Sequence, residues 1–171
     1  MQNNLYLVCP LGFSEYFIQR KYGTHHYFLT ALGSVFRFDE LPFIEKLVDF
    51  FVCDPVDQIT IVHDLNCPLK RKVINHSKTS TSFSEKQLFD LYIDHYYQIN
   101  RFDSEKEKVR QLALIHIDSL SHQIAHHSLL QGLIREEGIK INGLLVDPLI
   151  DHAQFINPAV PASDNAVYSA V

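Results

Sequence analysis

Four short apolar runs, over residues 5–8, 27–32, 59–62 and 139–146, set the limits on what this chain can fold into. Each is short for an amphipathic helix and reads as a strand, and the first has no helical spacing. Leu5-Tyr6-Leu7-Val8 ends at Cys9-Pro10, where proline removes a ladder donor, and the second run breaks at Gly33-Ser34. The stretches between them read as helices. Residues 14–22 are closed by Gly23. Asp39 is placed to cap a helix with Pro42 in its first turn. Phe43, Ile44, Leu47, Val48, Phe50 and Phe51 then form a one-sided stripe before Asp54-Pro55 ends it. Strand–helix–strand alternation of this kind predicts parallel strands joined by right-handed crossovers.

The second half is more helical. A short helix is expected over 69–74, followed by a polar loop over 76–82. Two capping boxes, Ser84 with Gln87 and Ser104 with Glu107, are expected to open helices near 85–99 and 105–127. Residues 128–137 continue as a short helix stopped by Gly138, the fourth strand follows, and 153–156 can add an edge strand. The expected fold is α/β, three-layer, with a mainly parallel four-stranded sheet. A length of 171 residues suits one domain, placed at 1–157, with a loose C-terminal tail over 158–171.

Composition narrows the function classes. A formal charge of −5 argues against a nucleic-acid surface, and Lys70-Arg71-Lys72, the only basic cluster, reads as a solvated helix start. No apolar stretch approaches the ~20 residues that span a bilayer. The first residues carry no positive n-region, so no signal peptide and a cytoplasmic location are expected. Three cysteines (Cys9, Cys53 and Cys67) make an odd set in such a chain, which points to thiol or metal chemistry rather than a disulfide framework.

Two segments resemble the β-class carbonic anhydrases. QITIVHDLNCP, ending at Pro68, is similar to that family's apolar strand running into Gly-His-x-x-Cys-Gly, and residues 127–147 are similar to its closing helix, turn and last parallel strand ending in Gly-x-x-x-Asp. LYLVC resembles the strand that delivers the first zinc-binding cysteine, and Leu32-Gly33 stands where the family has Ala-Gly. The resemblance covers residues 4–156, without the family's N-terminal helical arm. It implies strand order 2-1-3-4, a zinc cofactor held by two cysteines and a histidine, and homodimers that pair sheets edge to edge. Aligned without a gap, Cys9 and Cys67 take the cysteine positions and Asp64 takes the histidine position, with His63 one residue before it. Leu11 and Phe13 stand where the family has its aspartate and arginine.

The implied metal set is therefore Cys9, Asp64 and Cys67, with His63 as the alternative ligand, at the switch point beyond the ends of strands one and three. Three anionic ligands would make a zinc-bound water less acidic, and the missing aspartate–arginine pair removes its proton acceptor. The expectation is a divergent member of this fold, able to bind zinc but with little or no CO2 hydration and no confident catalytic residue. Two other readings stand beside it. One is a dimeric scaffold or regulatory protein without metal, favoured if Leu11 and Phe13 fill the former cleft. The other is an enzyme using Cys67 or Cys9 as nucleophile with His63 as base. Cys53 is expected to pack in the core. His122 and His126, one helical turn apart, are expected on a polar helix face, and Phe89, Tyr92, Tyr96 and Tyr97 in the core or a dimer surface.

Overall fold

A computed structural model describes residues 3–75 and 82–158. The polar loop expected over 76–82 and the tail expected from 158 fall almost wholly outside the described residues.

Strand β1 (Asn4–Val8) leads into α1 (Ser14–Tyr22), and β2 (Tyr27–Thr30) follows, shorter than expected because a 3-10 turn takes Leu32–Ser34. Next come α2 (Leu41–Cys53), β3 (Gln58–Asp64) and α3 (Pro68–Ile74). Helices α4 (Phe83–Asp94), α5 (Tyr96–Asn100), α6 (Glu105–His126) and α7 (Gln131–Glu136) precede β4 (Lys140–Asp147) and β5 (His152–Ile156). The sheet order is β2-β1-β3-β4-β5, with the first four strands parallel and β5 an antiparallel edge. The expected α/β fold, the strand order 2-1-3-4 and the edge strand are all present.

The pleat sorts side chains between two layers. Tyr6, Val8, Val62, Leu144 and Val146 pack with Phe17 and Ile18 of α1 on one face. Leu5, Leu7, Ile59, Ile61 and Leu145 pack with Ile44, Leu47 and Phe51 of α2 and Ile117 and Leu120 of α6 on the other. A third cluster gathers Cys9 and Cys67 with Leu69, Val73, Leu88, Tyr92 and Leu112 beyond the strand ends. Gly143 lets α6 approach the sheet: a Cβ there would lie 2.6 Å from Ile117.

Local expectations differ at four places. Glu40, not Asp39, precedes α2, and it makes no side-chain cap bond. Ser82 rather than Ser84 caps α4, accepting from the Glu85 N–H, while Ser104 accepts from Glu107 N–H as its capping box requires. The helix near 85–99 is broken at His95, whose φ of −113° is not helical. Cys53 is exposed rather than in the core, because it lies two residues past the buried Phe51 and so faces away from the stripe. Of the four aromatics on α4 and α5, Tyr92 is fully buried and Tyr97 is almost fully exposed.

Candidate functional site

The residues expected from the sequence lie around the ends of β1 and β3, which stand side by side in the middle of the sheet. The register pairs Leu7 with Ile61, so two residues further on Cys9 lies level with His63 on the face shared with Ile59 and Ile61. Cys67 follows a turn in which its N–H donates to Asp64 O, and it stands at the start of α3.

The two thiols are buried together. Cys9 donates its S–H to Cys67, which raises the pKa of Cys9 and lowers that of Cys67. Burial works against the thiolate at both, and at Cys67 it is outweighed by that bond together with the Lys70 charge and the N–H groups of Lys70 and Leu69. The Gly33 N–H reaches Cys9 Sγ at 3.1 Å. Only a glycine fits there: φ is +69°, and a Cβ would come within 2.8 Å of Leu69 and Leu88. Ser34, also left-handed at φ 57°, is tied by its hydroxyl to Val62 O.

Asp64 points to the other face. Its Oδ1 accepts the Asn66 N–H at 2.7 Å, and its Oδ2 abuts Gly12, where a Cβ would lie 2.7 Å away. Burial is the main influence on this carboxyl and raises its pKa. Asn66 in turn donates to Asp147 Oδ1 at 2.7 Å, and Lys106 Nζ holds Asp147 Oδ2 at 2.7 Å. Burial of Asp147 raises its pKa, but the bonds from Lys106 and Asn66 prevail and lower it. Asp147 at the end of β4 thus fixes the turn carrying Asp64 and Cys67, a role visible in sequence only as the acidic end of the last parallel strand.

His63 is turned toward α6, where its ring stacks on His116 at 4.8 Å between centroids. The structure therefore brings Cys9 and Cys67 together and adds neither Asp64 nor His63 to them. Among the described residues, no three His, Cys, Asp or Glu side chains are grouped to hold a metal ion. With the carboxylate engaged on one face and the imidazole stacked on the other, the donor set does not fit a zinc centre with three protein ligands. Neither ring nitrogen of His63 is bonded to a thiol, so no nucleophile–base pair is formed either. Leu11 and Phe13 do not fill a cleft: they are 47% and 69% exposed, with Tyr16 beside them at 66%. His122 and His126 lie on the exposed face of α6.

These features define an α/β fold of the β-carbonic anhydrase type. No protein-family model matches the sequence, and neither does any curated protein. The likeness is to solved structures. The β-carbonic anhydrase CafA of Aspergillus fumigatus superposes with a TM-score of 0.77 at 16% identity, over 94% of this chain and 77% of that one. A tetrameric β-carbonic anhydrase of Sordaria macrospora gives 0.73 at 12% identity, over 90% and 80%. A Coccomyxa β-carbonic anhydrase in complex with acetazolamide gives 0.70 at 11%, over 92% and 74%. At these identities the likeness establishes the fold.

Proposed function

We propose that this chain is a non-hydratase protein on the β-carbonic anhydrase fold, a self-associating scaffold or regulatory protein whose former metal site has become a buried thiol pair. The observation that carries this reading is how the ligand positions are engaged: Cys9 and Cys67 pair in an apolar cluster, while Asp64 accepts the Asn66 N–H and His63 stacks on His116. Leu11 and Phe13 stay exposed instead of filling a cleft, so they support the reading by their chemistry alone: hydrocarbon side chains offer no proton acceptor and no cation to orient one. No catalytic step is assigned.

A zinc-holding form is the second reading, favoured by the pairing of the two thiols and by His63 lying level with Cys9. Zinc would then be held by Cys9 and Cys67 with His63 or Asp64 rotated inward, and its chemistry would be Lewis-acid activation of a bound water. Self-association is supported by the exposed Leu11, Phe13 and Tyr16 at the start of α1 and by the tetrameric relatives of the fold. No described helix is long and apolar enough to cross a membrane, which leaves the expected cytoplasmic location part of this proposal.

Stopped-flow CO2 hydration with zinc-supplemented protein tests the reading. It predicts a rate indistinguishable from buffer, and zinc-dependent hydration abolished by Cys67→Ser would overturn it. Light scattering on a sizing column is expected to give a dimer or larger species.

A further inference from the structure

Three nitrogen-bearing side chains from three elements are sealed together beneath the sheet ends: His63 of β3, Lys70 of α3 and His116 of α6. Their exposures are 0%, 0% and 5%. Both ring nitrogens of His63, Nδ1 of His116 and Nζ of Lys70 lack any hydrogen-bond partner. The two imidazoles stack at 4.8 Å with their planes 26° apart. The charge of Lys70 bears on both rings, and with burial, the larger influence, it depresses the pKa of each.

Lys70 belongs to the basic run expected to be solvated. Its neighbours follow that expectation, Arg71 pairing with Glu105 and Lys72 with Glu85, but Lys70 alone goes inward. An ammonium has three donors and no acceptor, and burying one without an acceptor is costly. Buried polar groups in native proteins almost always find a partner. Two acidic groups, Cys67 and Asp64, feel the Lys70 charge, but neither accepts a bond from Nζ.

We propose that His63, Lys70 and His116 form a binding site for one small monovalent oxyanion, entered from the adjoining cavity of about 280 Å³ whose wall includes Gln87, His116, Ser119 and Gln123. The single charge follows from the single cationic side chain in the cluster, since a dianion would carry excess charge into an apolar shell. The oxyanion follows from the donors, which approach from three elements and call for several acceptor oxygens rather than one point. This site rests on the metal-free reading above, since a zinc ion drawing His63 toward the thiols would take it off His116.

The test uses the full chain and sodium nitrate as probe, at constant ionic strength set with sodium gluconate. Nitrate is expected to raise Tm saturably and to shift the side-chain nitrogen resonances of two histidines, assigned to His63 and His116 by substitution. Sulfate is expected to do neither. Lys70→Met should weaken nitrate binding at least tenfold. Should that variant not fold, His116→Gln is the second variant and is expected to weaken binding severalfold. The absence of a saturable nitrate response, meaning that water alone satisfies these nitrogens, would overturn the proposal, as would equal responses to sulfate or in the variants.

Discussion

Acidification from pH 7 to pH 5 should destabilise this protein through its buried histidines, and the contribution of His116 can be isolated. Burial, aided by the Lys70 charge, pushes His116 down from 6.5 to about 3. The unfolded chain therefore takes up a proton near pH 6.5 that the folded chain refuses until about pH 3, so stability falls as pH drops through that interval. At pH 5 the gap is about 1.5 pH units, which at ~1.4 kcal/mol per unit is about 2 kcal/mol for this one side chain. His63 is depressed as well and adds loss of the same sign, while the raised Asp64 carboxyl has the opposite sign. Comparing wild type with His116→Phe cancels the Asp64 contribution and most of that of His63, since phenylalanine preserves a ring against His63 and the burial that chiefly depresses it. Urea unfolding at pH 7, 6 and 5 should show wild type losing about 2 kcal/mol more than the variant between the extremes. Parallel pH profiles for the two proteins would show that His116 takes up its proton alike in the folded and unfolded chains.

Four further outcomes follow from particular contacts. Gly143→Ala should cost about 1–3 kcal/mol, because its new Cβ would press on Ile117 at 2.6 Å and on Ile156 at 3.1 Å; thermal or urea unfolding reads this. Lys106→Met should cost about 1–3 kcal/mol by leaving the buried Asp147 carboxylate with Asn66 as its remaining side-chain donor, and its urea midpoint should fall accordingly. Ser104→Ala should cost about 1 kcal/mol by uncapping α6, again read by urea unfolding. A thiol reagent should modify exposed Cys53 rapidly in the native protein and reach Cys9 and Cys67 only on unfolding; three fast thiols would contradict their burial.

The sheet was legible because strand signals here are local and strong. Three of the four apolar runs stop within two residues at proline, glycine or an Asp-Pro pair, and the helices between the strands force parallel pairing. The meeting of Cys9 with the end of β3 was legible for the same reason, since strand order and length bring them side by side. What escaped was the facing of individual side chains. Ile59 and Ile61 are in phase with His63, and that parity already assigns His63 and Asp64 to opposite faces, but an ungapped motif alignment ignores the pleat. Lys70 was read by its charge. Yet it stands three and four residues before Val73 and Ile74, the spacing of one buried helix face. The break at His95 and the shift of the α4 cap to Ser82 had no comparable signal, because several serines compete as caps and no proline or glycine marks the break.

On the proposed reading, Cys9 and Cys67 form a buried thiol pair rather than a zinc centre. Elemental analysis of untagged protein, purified without chelator from zinc-supplemented cells, tests it directly. Zinc far below one atom per chain, unchanged by Cys9→Ser, is expected. One zinc per chain, lost in Cys9→Ser, would contradict it.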